Sequence, residues 1–186
     1  VAVDGQKDVY WVNEDGSVMM APVRGGAAIS LAPSDGSAWS QLADGITVDA
    51  TSVYWGSSGT IRKMPLGGGP ITTLASGQGP NTAHLAVDAN NVYWTVSSEP
   101  GSVGSVPKGG GTTVQLATGP NPWAIAADAS GVYYTDSEAG LILKIAPGST
   151  TPVTLASGQY AAWGIALDNG YVYWVTETGN VVKLPK

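Results

Sequence analysis

Leu85-Ala86-Val87-Asp88-Ala89-Asn90-Asn91-Val92-Tyr93-Trp94-Thr95 reads as a hairpin. An apolar tripeptide ends in Asp, turn-forming residues follow, and a β-branched and aromatic run comes next. The pattern recurs. The apolar-apolar-apolar-Asp segment stands at Val1 to Asp4, Ile46 to Asp49, Leu85 to Asp88, Ile125 to Asp128 and Ile165 to Asp168, with Asp spacings of 45, 39, 40 and 40 residues. Each is followed by an aromatic pair: Tyr10-Trp11, Tyr54-Trp55, Tyr93-Trp94, Tyr133-Tyr134 and Tyr173-Trp174.

Two further segments complete the unit. A Gly-led run ends in Pro at Gly16 to Pro22, Gly59 to Pro65, Gly101 to Pro107, Gly140 to Pro147 and Gly179 to Pro185. Leu-Ala then stands at Leu31, Leu74, Leu116 and Leu155, with no fifth copy. Four short strands every 40 residues or so make the blade of a β-propeller, because one such sheet cannot bury both faces and a ring of them can. The expectation is an all-β, five-bladed propeller of four-stranded antiparallel blades, the last lacking its outer strand. It forms a single domain over 1–186, with repeats at approximately 1–40, 41–82, 83–122, 123–162 and 163–186. The chain starts inside a first strand and stops after a third, so 19 strands are expected. The ring is expected to close by packing blade one on blade five, the alternatives being a partner chain that donates the missing strand or a fragment of a longer propeller.

The aromatic pairs carry a resemblance to the YWTD-type propellers of lipoprotein-receptor ectodomains and their bacterial relatives. It is best at Tyr133-Tyr134-Thr135-Asp136 and continues at Tyr93-Trp94-Thr95, where Val96 replaces the Asp. The other repeats keep only Tyr-Trp, so the chain resembles a divergent, bacterial-type member. Pro80 and Pro122 match the family's proline before strand one. The resemblance implies a propeller, an extracellular setting and a binding role. The receptor propellers have six blades, more than this chain supplies.

Composition narrows the function classes. Lys plus Arg is 8 and Asp plus Glu is 14, a net charge of −6, which argues against nucleic acid as a partner. There is no Cys and one His, which excludes disulfides, thiol catalysis, Cys–His zinc sites and polyhistidine metal sites. The longest apolar run, Ala161 to Leu167, is too short for a membrane span. The start at Val1 without Met makes the chain look processed or excised, and the resemblance implies a secreted protein, extracellular or periplasmic.

In a propeller the loops joining strand four to the next strand one share an end with those joining strands two and three. Loops on a rigid scaffold carry function. That end is expected to hold Glu14, Asp15, Asp35, Asp44, Glu99, Asp136, Glu138 and Glu177 and no base. All eight bases fall elsewhere, so one end is acidic. The same loops carry Trp39, Asn81, His84, Asn121, Trp123, Tyr160 and Trp163.

Most repeated residues read as scaffold. The Gly-Gly-Gly runs are turns, since no Gly-Lys-Ser/Thr follows. The five repeat Asp residues cap hairpins, and the Tyr-Trp pairs pack blade on blade. Trp123 and Trp163 differ, because Asp44 and Ala83 replace them in other repeats. Two readings stand for them: a sugar-stacking platform, or a plug in the channel mouth. His84 reads as a channel-facing side chain bonded to backbone rather than a base. No nucleophile constellation is visible, and the first-strand tripeptides hold no metal ligand of the propeller-lactonase kind.

The expectation is a non-enzymatic binding module without cofactor, catalytic residue or metal centre, although its acidic loops suit a structural Ca²⁺. Its ligand, a carbohydrate or a protein, meets Trp123, Trp163, His84, Asn121, Glu138 and Glu177. One alternative is a structural or assembly protein that pairs through its incomplete fifth blade, as a homo-oligomer or with a strand-donating partner. Another is a lactonase-like hydrolase or lyase.

Overall fold

The computed structural model describes residues 1–5, 7–34, 36, 45–79 and 81–186, with the side chain of residue 83 left aside. Trp39, Asp35, Asp44 and Pro80 lie outside the described residues. The described residues form strands and turns, with no helix.

Five antiparallel sheets follow one another along the chain, each with its strands in sequence order. Blade 1 comprises β1 (Ala2–Val3), β2 (Asp8–Val12), β3 (Val18–Pro22) and β4 (Ile29–Ala32). Blade 2 comprises β5 (Ile46–Val48), β6 (Ser52–Ser57), β7 (Thr60–Pro65) and β8 (Thr72–Ala75). Blade 3 comprises β9 (Thr82–Val87), β10 (Asn91–Val96), β11 (Gly101–Pro107) and β12 (Val114–Gly119). Blade 4 comprises β13 (Pro122–Asp128), β14 (Gly131–Asp136), β15 (Leu141–Ile145) and β16 (Val153–Ala156). Blade 5 has three strands, β17 (Gly164–Leu167), β18 (Tyr171–Val175) and β19 (Val181–Pro185). The protein is a five-bladed β-propeller whose last blade lacks an outer strand. The first strands β1, β5, β9, β13 and β17 contact one another in that order, which places them innermost.

The aromatic pair on each second strand seals the blades. Successive strand residues point to opposite faces, so Tyr and its neighbour serve different interfaces. Tyr10 of blade 1 shares a core cluster with Trp55 of blade 2. Tyr54 and Trp94 share the next, Tyr93 and Tyr134 the third, and Tyr133 and Trp174 the fourth. The Tyr therefore faces the following blade and the second aromatic faces the preceding one. Gly104 serves this packing: a Cβ there would lie 2.5 Å from the Trp94 ring.

The expected closure of blade 1 on blade 5 would bury a fifth interface, and the described residues do not show one. No core cluster among the described residues joins them. Val181 is 72% exposed, whereas its register equivalents Val18, Ile61 and Val103 are fully buried. Val175 is exposed where Thr95 and Thr135 are buried. Trp11 is half-buried, while the aromatics that match it in the other blades are buried. The facing sides of blades 1 and 5 are thus more exposed than the four interfaces between successive blades.

Candidate functional site

The inner strands β9 and β13 each carry a bulge at the loop-bearing end. In β9 the pairing with β10 shifts register between Trp94 and Val96, so Ala83 and His84 together oppose Thr95. In β13 it shifts between Pro122 and Ile125, leaving Trp123 and Ala124 opposite Thr135. A bulge re-aims a side chain out of the strict alternation. Each bulge is held by the threonine of its blade's aromatic motif. Thr95 Oγ1 accepts from the His84 N–H at 3.3 Å and donates to the Trp123 carbonyl at 2.6 Å. Thr135 Oγ1 accepts from the Ala124 N–H at 3.1 Å. Ser97 Oγ adds a bond to the Pro122 carbonyl at 2.8 Å. Trp123 is thus fixed by its own blade and by blade 3.

His84, Trp123 and Trp163 come together across blades 3, 4 and 5. The His84 and Trp123 ring centres are 5.5 Å apart. Trp163 meets Trp123 edge-on at 5.2 Å, the favoured geometry for two rings with opposed quadrupoles. Trp163 keeps 49% of its surface exposed, and nearby Tyr160 keeps 65%. The loop between them is shaped at Ala161, which takes φ +50° and donates its N–H to the Ser137 carbonyl at 3.0 Å. Burial lowers the His84 pKa, despite an opposing contact with the Trp123 backbone, so the ring is neutral at neutral pH. Its Nδ1 is buried without a hydrogen-bond partner among the described residues.

Of the other expected site residues, Asn121 precedes β13, Glu138 lies between β14 and β15, and Glu177 lies between β18 and β19. Asn121 is half-buried and engaged through its backbone, its N–H donating to Asp136 Oδ1 at 3.2 Å and its carbonyl accepting from Ser137. Glu138 and Glu177 are exposed on turns. Among the acids expected on this end, Glu14, Asp15 and Glu99 are also exposed. Asp136 is not a surface charge. It is 2% exposed and accepts from the Ala139 N–H at 3.0 Å, so it organises the turn after β14. Among the described residues, no three His, Cys, Asp or Glu gather in a metal-binding group.

At the opposite end, the repeat Asp residues cap their hairpins. Asp88 Oδ1 accepts from the Asn90 and Asn91 N–H groups at 2.7 Å each. Its Oδ2 accepts from Tyr93 Oη at 2.7 Å. The same Tyr-to-Asp bond recurs at Asp4, Asp49 and Asp168. With burial, it raises the Tyr54 and Tyr93 pKa values to about 12. The fixed spacing of Asp and Tyr in the sequence carries this signal, which the packing role expected of the Tyr does not include. Two interfaces carry a further staple. Lys108 Nζ lies 2.8 Å from Asp49 Oδ2, and Lys186 Nζ binds Asp128 Oδ2.

No protein-family model matches the chain, and no curated protein sequence matches it. Solved structures do. A crystal structure of a nidogen/laminin complex contains a chain that matches all of this one over 75% of its own length, at a TM-score of 0.81 and 18% identity. The computationally designed Ika8 protein matches 97% of this chain over 56% of its own, at a TM-score of 0.69 and 17% identity. The designed Ika4 protein matches 79% over 93%, at 0.61 and 15%. At such identities the likeness is one of fold.

Proposed function

We propose that the protein is a non-enzymatic binding module whose ligand, a glycan or a protein surface, docks on the Trp163 side of the His84–Trp123–Trp163 array. The observation that carries this is Trp163 itself. A large aromatic 49% exposed beside the 65% exposed Tyr160, braced from behind by a fixed Trp, is an anchor of the kind that dominates binding surfaces. Glu138 and Glu177, exposed on turns of blades 4 and 5, favour a ligand with hydroxyl donors or positive charge. A protein ligand gains support from the nidogen/laminin complex, in which a chain of this fold is crystallised with a protein partner. An extracellular or periplasmic setting belongs to the same proposal.

The test is equilibrium binding on a glycan array and against candidate protein ligands, with wild type and Trp163→Ala side by side. Trp163→Ala is expected to weaken binding at least about tenfold, since an aromatic anchor carries on the order of 2 kcal/mol. Its thermal transition is expected to stay within a few degrees of wild type. Binding that survives the substitution unchanged overturns the platform.

A second reading rests on the open faces of blades 5 and 1. An assembly role is supported by Val181, Val175 and Tyr171, which form an exposed apolar sheet face beside β19, the last strand of its sheet among the described residues. Its occupant is a further blade of this repeat type, offering an aromatic to Tyr173 on one side and a Tyr to Trp11 on the other. Light scattering at rising concentration tests self-supply of that blade, and a concentration-independent monomer mass refutes it.

A further inference from the structure

Five blades repeat one sequence plan, so a departure from the plan at one interface can be read against the others. At the hairpin-cap end, two positions border the repeat Asp and Tyr. The first is the third-strand residue opposite the Tyr: Lys63, Lys144 and Lys183 in blades 2, 4 and 5, Met20 in blade 1 and Ser105 in blade 3. The second is the residue just past the third strand of the following blade. It is Leu66 beside blade 1, Lys108 beside blade 2 and Lys186 beside blade 4. The same register places Pro147 beside blade 3.

Where both positions are Lys, the ammonium groups gather on the cap. Lys108 binds Asp49 and lies 5.8 Å from the Tyr54 ring centre, and Lys63 Nζ donates to the Lys108 carbonyl. Lys186 binds Asp128, and both it and Lys144 lie over Tyr133, at 6.0 and 5.1 Å. Between blades 1 and 2, Met20 and Leu66 join the apolar cluster instead. Between blades 3 and 4 neither arrangement exists. Ser105 and Pro147 stand there instead. Unlike the cavity of about 560 Å³ beside Asp49, which Lys63 and Lys108 line, the cavity of about 520 Å³ at this interface has no Lys in its lining. Asp88, Tyr93, Ser105 and Pro147 all line it, with Leu116 and Ile145 as apolar wall. Asp88 and Asp128 are its two charged lining residues, and Asp128 is already paired with Lys186.

We propose that this cavity binds a primary ammonium on an aliphatic chain, with the nitrogen on Asp88 Oδ2 and the chain along Tyr93, Leu116 and Ile145. The carboxylate is prepared for it. Asp49 Oδ2 accepts both the Tyr54 hydroxyl, at 2.9 Å, and the Lys108 ammonium. Asp88 Oδ2 accepts the Tyr93 hydroxyl and has no Lys from the following blade. The chain thus displays twice, with its own lysines, the contact that the third site leaves to a ligand. A carboxylate and an aromatic face together favour ammonium over a neutral polar group. The volume suits a small molecule or an inserted lysine side chain. This site lies at the opposite end of the blades from Trp163 and is independent of the binding proposed there.

The experiment is an NMR titration of the ¹⁵N-labelled protein with three probes: 1,5-diaminopentane, Nα-acetyl-lysine N-methylamide, and the same lysine derivative acetylated on Nε. The first two are expected to shift the Asp88, Asn90, Asn91 and Ser105 amides saturably, and the neutral third is not. Binding of the diamine alone assigns the site to free polyamine-type ligands, and binding of the lysine derivative assigns it to lysine side chains. Asp88→Asn keeps an oxygen for the hairpin cap and is expected to weaken binding about tenfold or more. Pro147→Lys, which installs the residue found beside Asp49 and Asp128, is expected to abolish it while leaving the protein folded. Equal shifts with the neutral probe, or undiminished binding by a folded Pro147→Lys variant, overturn the proposal.

Discussion

The interface between blades 2 and 3 and the facing sides of blades 5 and 1 are built from the same repeat and end in different states. At the first, Tyr54 and Trp94 are buried with Ile61, Leu74, Leu85 and Val106 around them. At the second, Tyr173 and Trp11 hold the matching positions without a shared cluster. The Trp11 indole N–H donates to Asn13 Oδ1 at 3.1 Å, whereas the Trp55 indole N–H, sealed between blades 1 and 2, has no partner among the described residues. The difference teaches that the aromatic pair does not itself close an interface. It supplies one ring to each side, and its stabilisation appears only when the neighbour's ring arrives.

Substituting the two Trp residues should separate these states most widely. Trp94→Ala empties a sealed cluster and is expected to cost ~3–5 kcal/mol, typical of a large buried aromatic. Trp11→Ala removes a half-buried ring and is expected to cost about 1 kcal/mol. Urea denaturation of both variants checks the contrast, and equal losses would mean that blades 5 and 1 seal in solution. Next in size is Gly104→Ala, whose new methyl must displace the Trp94 ring. Overpacking of that kind costs ~1–3 kcal/mol, to be read from the shift in urea midpoint.

The blade pattern was legible because it depends on local chemistry repeated five times. The Asp spacing near 40, the β-branched and aromatic runs and the Gly-rich turns each point to the same four strands, and the absence of a fifth Leu-Ala correctly left blade 5 with three. Closure was not legible. It depends on the angle between blades, which accumulates over four interfaces and leaves no residue signature. At the Trp end, the departure of Trp123 and Trp163 from the repeat marked the residues that meet, but their approach depends on bulges whose only trace is Thr95 and Thr135. The cavity between blades 3 and 4 escaped because strand register decides which residues line it. Ser105 and Pro147 look unremarkable until register places them where other blades carry Lys.

The Lys staples predict a pH effect of intermediate size. Burial pushes the Asp49 carboxyl up, but Lys108, the Thr51 groups and the Tyr54 hydroxyl outweigh it and hold the pKa below the usual carboxylate range. A pKa depressed in the folded state stabilises above the unfolded value, about 3.9, and that stabilisation is lost as pH falls through the folded value. Lys108→Met should therefore lower stability at pH 6 by about 1 kcal/mol and by less near pH 2. Urea unfolding across that range checks the sign, and a deficit that grows on acidification would refute the staple.

The smallest expected effect tests the open face directly. Val181 and Val103 occupy the same place in their blades, yet one is 72% exposed and the other fully buried. Val103→Ser should cost ~2–3 kcal/mol, since it removes two buried methyl groups and leaves a hydroxyl in an apolar cluster. Val181→Ser changes a side chain that water already reaches, so stability should move by no more than about 0.5 kcal/mol. Pairing the two variants cancels any difference in strand propensity, because the third-strand position is the same. If Val181→Ser costs as much as Val103→Ser at low protein concentration, blade 5 is packed against blade 1 in solution. If the cost emerges only as concentration rises, a second molecule covers the face, and loss of that concentration dependence in Val181→Lys would place the contact on this sheet.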